Sequence, residues 1–296
     1  MHHRNHAFIF VKPHANTEKV QELVQSTLEA KGIHISRQGE IRGEDIDRDQ
    51  LIDQHYYAIA SKATILPAAQ LPVPADKFEE FFHVKWADAL SEGRVFNALD
   101  ACKHLNISAE ELDAAWAKVQ KIKFGGGFYC GKIEVEGKEP IYTFNAFFMS
   151  MRSKFVAPGS SIHFFVVDFD PAQLSWADFR GKVLGPTDPA AAPADSLRGI
   201  ILAKWEELGL KAAPNTGDNG VHASASPFEG LAERMNWLKV PVEADEFGAA
   251  LVSAGVNVAT IKDWSVDPQV KGKSIFDQLE DTDAEECIKR CVELSA

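Results

Sequence analysis

The spacing of apolar residues divides the first part of the chain into a strand, a helix and a second strand. Residues 7–11 are apolar throughout, as in a buried strand. Asn16 or Thr17 can cap the following helix, and Gly32 stands where a helix commonly ends. The alternating residues 33–36 then predict the second strand.

Helical spacing dominates the next part of the chain. It predicts a helix over 48–60, a proline-containing connector over 66–74 and an amphipathic helix over 77–93. Ser108, with Glu111 three residues later, forms a capping-box pattern at the start of another helix. Because this stretch has its own character, we predict that residues 61–143 are an insertion, mostly helical with one hairpin.

The glycine run Gly125-Gly126-Gly127 allows two interpretations. A phosphate-binding loop needs Gly-Lys-Ser/Thr at its end, and this ending is absent. A β-hairpin fits better, with strands over 127–134 and 140–144 and a turn at 136–138. We therefore expect a hairpin here.

Helices and strands alternate again after the insertion. A strand is predicted over 161–169, and a polar loop over 212–220 precedes residues 221–224. The predicted helices are 144–155, 176–183, 200–208 and 227–238. Residues 241–296 are interpreted as a C-terminal extension that ends in a charged helix.

Composition describes an ordinary soluble globular protein. The 296 residues include 45% hydrophobic and 25% charged residues, enough for one elaborated domain or two domains. The net charge of −12 argues against a nucleic-acid partner, because a phosphate backbone needs a cationic face. Single nucleotides remain compatible, since a few local basic groups can hold them.

Four scattered cysteines do not make a disulfide framework in a chain of this length. Cys287 and Cys291 are one helical turn apart, and without further ligands nearby we expect ordinary thiols and no metal site. The sequence contains no apolar signal region and no membrane span of roughly 18 residues. We therefore expect a cytoplasmic protein that does not enter a membrane.

The candidate catalytic residues are centred on His222 in the sequence. His222 follows Asn219 by three residues and precedes Glu233 by eleven. A neutral imidazole carries a lone pair at physiological pH and can act as a nucleophile. If the helix over 227–238 folds back, Glu233 can bond one ring nitrogen and fix which nitrogen attacks. Lys12 and Arg198 then supply positive charge, as phosphoryl transfer requires.

The order and spacing of four motifs resemble the nucleoside diphosphate kinase family. They are Lys12-Pro13, Gly185-Pro186-Thr187-Asp188-Pro189, Arg198-Gly199 and the segment from Asn219 to Trp237. The resemblance covers about 1–60 and 144–240, which we predict to form one discontinuous domain. It implies an α+β fold with a ferredoxin-like antiparallel sheet and flanking helices.

The resemblance also implies an activity and roles for individual residues. His222 would take the γ-phosphate of a nucleoside triphosphate and pass it to a nucleoside diphosphate in a ping-pong cycle, with Glu233 and Ser224 as its catalytic partners. A Mg²⁺-bound nucleotide and a homo-oligomer are implied as well. The implied nucleotide-binding residues are Lys12, Tyr56, Phe144, Arg180, Thr187, Arg198 and Asn219.

Several positions depart from the family pattern. The family's second phosphate-binding arginine is Gly181 here, and the flanking Arg180 or Lys182 would have to replace it. The other departures are His14, Ala223 and Ala225, where the family has aspartate, glycine and aspartate. Two hypotheses therefore stay open: an active phosphotransferase, or a catalytically weak or inactive nucleotide-binding or scaffold protein. In either case the insertion offers a surface for a protein partner.

Overall fold

The computed structural model describes residues 2–296, and the chain divides into two compact units. The first unit comprises Met1–Leu51 and Phe155–Ala296, and the second comprises Ile52–Lys154. The second unit therefore begins before the predicted insertion 61–143 and ends after it. Residues 241–296 belong to the first unit.

The strands range in length from two residues to nine, and both units contain strands. Within residues 2–296 they are β1 (Asn5–Val11), β2 (His34–Arg42), β3 (Val95–Asn97), β4 (Lys121–Gly125), β5 (Phe128–Ile133), β6 (Ile141–Phe144), β7 (Ser161–Phe169), β8 (Val221–Ala223), β9 (Gln269–Val270) and β10 (Lys273–Ser274).

Helices make up much of the rest of the described chain. They are α1 (Glu18–Ala30), α2 (Gly43–Arg48), α3 (Leu51–His55), α4 (Tyr57–Ala60), α5 (Ala75–Phe82), α6 (Trp86–Ser91), α7 (Ala98–Leu105), α8 (Ala109–Ala117), α9 (Phe147–Val156), α10 (Trp176–Asp178), α11 (Leu197–Ala203), α12 (Pro227–Leu238), α13 (Glu246–Ser253), α14 (Val258–Trp264), α15 (Ile275–Leu279) and α16 (Ala284–Ser295). One-turn π segments occupy Ser61–Ile65 and Phe179–Leu184.

A four-stranded antiparallel sheet organises the first unit, with the strand order β2-β7-β1-β8. Strand β1 is central, and its residues 7–11 are fully buried because side chains pack against both of its faces. The predicted apolar strand is thus confirmed, as is the helix that Thr17 caps. The fold is α+β, with an antiparallel sheet here and a mixed sheet in the second unit.

The second unit contains more strand than the sequence predicted. The predicted hairpin is present as the antiparallel pair β5 and β6, but β3 and β4 extend it to a four-stranded mixed sheet, β3-β6-β5-β4. Gly126 and Gly127 form the two-residue turn between β4 and β5, and the φ of Gly127 is +65°. The glycine run therefore serves a second hairpin.

Two predicted helices are interrupted, and one begins later than expected. The helix predicted over 48–60 is present only as α3 and α4, because α2 ends at Arg48 and Gln50 has a φ of +51°. The helix predicted over 77–93 ends at His83, which adopts the left-handed conformation, and α6 follows it. Residue 144 ends β6, so α9 starts only at Phe147. Among the described residues, no helix combines the length and the apolar character needed to cross a membrane.

Candidate functional site

His222 lies on β8, at the edge of the sheet of the first unit. Strand β8 pairs with β1, and this pairing places His222 opposite Phe10. The imidazole stacks on the Phe10 ring, with 4.7 Å between the ring centroids and 29° between the planes. Because Phe10 is fully buried, one face of the imidazole is held in a fixed orientation.

Helix α12 brings Glu233 to the imidazole. Ser226 caps the helix by accepting a hydrogen bond from the Glu229 amide, and Pro227 occupies its first turn. The helix runs back along β1, and both carboxylate oxygens of Glu233 lie near Nε2 of His222, at 3.0 Å (Oε1) and 2.9 Å (Oε2). This near-equal sharing fits one ring N–H donated to an ionised carboxylate, which leaves the lone pair on Nδ1.

Burial and charge keep the imidazole neutral. Burial lowers the pKa of His222 well below its ordinary value, and the positive charges of Lys12, Arg198 and Arg180 lower it further. Burial raises the pKa of Glu233 well above its ordinary value, although the hydrogen bond of Glu229, the charge of Arg234 and the hydrogen bond of Ser224 act in the opposite direction. A neutral, fixed imidazole beside several cations suits nucleophilic attack on a phosphoryl group.

Ser224 connects the segment that carries His222 to β1 through hydrogen bonds with Phe8. Its hydroxyl accepts a hydrogen bond from the Phe8 amide (2.8 Å) and lies 3.0 Å from the Phe8 carbonyl oxygen. The same hydroxyl is 3.4 Å from Oε2 of Glu233, and its backbone amide also bonds to the Phe8 carbonyl. Ser224 therefore fixes the backbone of the site first and contacts Glu233 more weakly.

The segment before His222 is fastened to the exit of β1. The Lys12 amide donates to the Gly220 carbonyl (2.9 Å), and the Gly220 amide donates to Nε2 of His14 (3.0 Å). His14 is therefore an acceptor at Nε2, although the sequence gave it only as a departure from the family pattern. The Lys12 ammonium lies 3.5 Å from the Gly217 carbonyl oxygen, near the start of the same segment.

Asn219 connects the histidine segment to the loop that carries Thr187. Its Nδ2 donates to the Thr187 carbonyl at 3.0 Å. The residue is 2% exposed, and its Oδ1 has no hydrogen-bond partner in the protein. A buried carbonyl oxygen without a donor is uncommon, so this atom is suited to accept from a ligand hydroxyl.

Arg198, near the start of α11, joins two other parts of the site. Its guanidinium donates to the Gly185 carbonyl (2.7 Å) and the Val221 carbonyl (2.9 Å). The next residue, Gly199, lies so close to the preceding loop that a Cβ atom there would be 2.1 Å from the Pro193 carbonyl oxygen. The close approach of this helix therefore depends on a glycine beside the arginine.

We expect Gly199→Ala to destabilise the protein by about 1–3 kcal/mol, because the added methyl group overlaps backbone that cannot easily move. Urea unfolding would measure this change. Gly181→Ala is the matched control, since no atom lies within 4 Å of a Cβ built at Gly181. Equal midpoints for both variants would contradict the close packing at Gly199.

The remaining predicted nucleotide-binding residues are placed differently. Arg180 forms ion pairs of 2.8 Å with both Glu280 and Asp281, so its charge is already engaged by the C-terminal segment. Tyr56 and Phe144 belong to the second unit. Phe144 is fully buried among other aromatic side chains, which leaves no ring face for a nucleobase, and we leave it out of the proposed site.

Two residues near the site were not among the predicted ones. His14 binds the Gly220 amide, and Glu229 lies beside Glu233 on α12. The four-residue separation of the two glutamates on a predicted helix was a usable signal, because residues four apart share a helix face. No comparable sequence signal pointed to the contact of His14 with Gly220.

The chain shows only a limited similarity to known proteins. No family model matches the chain, and no curated protein matches it. The chain is similar to solved structures of nucleoside diphosphate kinases from Encephalitozoon cuniculi (14% identity, TM-score 0.39), Aquifex aeolicus (13%, 0.38) and Pyrobaculum aerophilum (16%, 0.38). Each comparison covers 79% of this chain and respectively 88%, 95% and 96% of the other. At these TM-scores the likeness assigns no activity to the chain.

Proposed function

We propose that the first unit is a phosphotransferase that moves the γ-phosphate of a nucleoside triphosphate to a nucleoside diphosphate through phosphorylated His222. The observation that carries this proposal is the contact of His222 Nε2 with both oxygens of Glu233. This contact leaves Nδ1 as the nucleophilic nitrogen. The resemblance in sequence motifs agrees with this chemistry.

In the first half-reaction, the Nδ1 lone pair forms a bond to the γ-phosphorus while the bond from that phosphorus to the bridging oxygen breaks. The bridging oxygen keeps the electron pair and leaves with the nucleoside diphosphate. The phosphorylated ring then carries positive charge, which the Glu233 carboxylate at Nε2 balances without a proton transfer. The second half-reaction is the reverse, with another diphosphate as acceptor.

The nucleotide is proposed to bind through groups around His222. The Asn219 Oδ1 would accept from a sugar hydroxyl, and Lys12, Thr187 and Arg198 would face the phosphates. Mg²⁺ would arrive with the nucleotide, whose phosphate oxygens suit this hard cation. Tyr56 and the homo-oligomer stay predictions.

A ferredoxin-like arrangement of the first unit is part of the proposal. The antiparallel order β2-β7-β1-β8, with α1 between β1 and β2 and α11 before β8, supports it. In this arrangement the nucleophile is placed on the edge strand and its carboxylate partner on the helix that follows.

The test is incubation of the protein with ATP and Mg²⁺, followed by intact mass measurement after an alkaline quench. We expect a gain of one phosphoryl group that is lost in acid and is removed by added GDP. Phosphate on a hydroxyl would survive the acid, and failure of GDP to remove the group would contradict a ping-pong transfer. A protein that gains no phosphate would exclude the phosphohistidine mechanism.

One observation favours a second candidate, a nucleotide-binding protein with weak or no transferase activity. Arg180, whose charge acts on His222, is one of the two residues that could replace the missing family arginine, and it is paired with Glu280 and Asp281. If this pairing persists when nucleotide binds, the γ-phosphate loses one cation. Calorimetry distinguishes the candidates, because the second one predicts ATP binding without any phosphoryl gain.

A further inference from the structure

We propose that Glu229 is a positioning residue that holds a proton and donates it in a hydrogen bond to Glu233. His222, Glu233 and Glu229 would then form one hydrogen-bonded chain that sets the orientation and charge of the carboxylate at the imidazole. The inference rests on the proposed function for its effect on catalysis. The chain of contacts itself rests on the geometry of α12.

The geometry places two carboxyl groups side by side. Glu229 and Glu233 are four residues apart on α12, on the same face of the helix, and their side chains lie within hydrogen-bonding reach of each other. Glu233 is 4% exposed and Glu229 is half-buried. Two carboxyl groups this close repel each other when both are ionised, which favours a proton shared between them.

The charges that face Glu229 do not remove this preference. Arg180 lies on the π segment Phe179–Leu184, and its positive charge acts on Glu229. Its guanidinium also forms ion pairs with Glu280 and Asp281. Asp267, in the C-terminal segment, is a further acid whose negative charge acts on Glu229. Its carboxylate accepts hydrogen bonds from the Ser274 hydroxyl (2.6 Å) and the Phe276 amide (3.0 Å). Arg234 also acts on Glu233 and lowers its pKa, but Arg180 is shared with two further acids, and a bound proton on the pair reduces the remaining negative charge.

The proton belongs on Glu229 because of the donors that each carboxyl meets. Glu233 receives the His222 ring N–H and lies near the Ser224 hydroxyl, and both favour its ionised form. Burial raises the pKa of Glu229, and the charge of Glu233 raises it further. The shared proton is therefore placed on Glu229, and Glu233 is the carboxylate that accepts from both sides.

The shared proton changes how the site responds to pH. A group whose pKa is raised loses its proton at a higher pH than an ordinary group of its type. Ionised Glu229 would repel Glu233 and turn its carboxylate away from Nε2 of His222. Phosphoryl transfer is therefore expected to fall on the alkaline side, in step with the ionisation of Glu229.

The experiment follows carboxyl carbons of ¹³C-labelled glutamate and the ring nitrogens of ¹⁵N-labelled histidine by NMR as the pH is raised. We expect the coupled pair to titrate in two steps above the ordinary glutamate pKa of about 4.3. Glu229→Gln, which keeps a donor but cannot ionise, should leave one step and preserve the N–H on Nε2 of His222. Glu243→Gln, at an exposed position, is the control that should change neither.

Transfer rates supply a second measurement on the same variants. Glu229→Gln is expected to keep the rate at pH 7 within about threefold and to lose the alkaline decline, whereas Glu229→Ala should lower the rate about three- to tenfold. Retention of both titration steps in Glu229→Gln would overturn the proposal. So would a wild-type protein whose glutamates all titrate at ordinary values. The NMR result stands apart from activity, so an inactive enzyme would contradict the proposed function without deciding the proton on Glu229.

Discussion

Replacement of His222 by asparagine is expected to abolish the phosphorylated intermediate and to lower phosphate exchange at least about 10³-fold, because the variant has no nucleophile at the position of Nδ1. Asparagine is small enough to occupy the space and polar enough to meet Glu233. The measurement is transfer of labelled phosphate from ATP to GDP, together with intact mass under alkaline conditions.

The control for this variant is His163→Asn. His163 lies on β7 of the same sheet and contacts the Gln38 side chain, so its loss tests the effect of replacing a histidine away from the site. We expect exchange in this control within about threefold of the wild type. A phosphate gain that persists in His222→Asn would place the nucleophile elsewhere.

The second large effect is expected for Arg234→Ala, which should destabilise the first unit by about 3–5 kcal/mol. Arg234 and Asp245 form a bidentate ion pair with distances of 2.6 Å and 3.1 Å, and their side chains are 4% and 6% exposed. Removal of the guanidinium leaves a buried carboxylate without its partner. Urea unfolding monitored by tryptophan fluorescence would measure the loss.

The ion pair also predicts a dependence of stability on pH. Burial alone would raise the pKa of Asp245, but the charge and hydrogen bonds of Arg234 outweigh burial and lower the pKa below its usual value. The stabilisation is therefore fully present above the unfolded pKa of about 3.9 and is lost as the pH falls through the folded pKa. Arg234→Ala should show a smaller loss of stability in acid than the wild type.

A surface pair provides the control for this prediction. Arg290 and Glu286 are an exposed i,i+4 pair on α16, and Arg290→Ala should lower the free energy of unfolding by less than about 1 kcal/mol.

The double variant Arg234→Ala/Asp245→Ala should lose less stability than the sum of the losses in the two single variants, because the two side chains share one interaction. Additive losses would mean that the two side chains stabilise the fold independently.

The parts of the fold that the sequence predicted well are those with strong local signals. Apolar β1 and the alternating β7 were predicted within two residues, because continuous burial and period-two patterns determine them. Helix α12 was predicted over its full length, since Ser226 and Pro227 mark its start. These elements carry or support His222 and Glu233, which is why the centre of the site was visible in the sequence.

The sequence did not reveal features that depend on contacts between distant residues. Strand β3 has only three residues and acquires its conformation by pairing with β6, so no local pattern marks it. The pairing of Arg180 with Glu280 and Asp281 joins positions about a hundred residues apart, and motif spacing contains no information on it. The same holds for the burial of Phe144, a residue for which a ligand-facing role had been predicted.

The pairing of β2 with β7 bears on how the second unit is joined to the first along the chain. The pair ends with Arg42 opposite Ser161, and the Gly43 amide donates to the Ser160 carbonyl at 2.7 Å. The whole second unit therefore belongs to a single connection whose two ends are adjacent in the sheet of the first unit. Since loop-closure entropy increases by only about 0.6 kcal/mol for each doubling of length, a long connection between these two strands costs little more entropy than a short one.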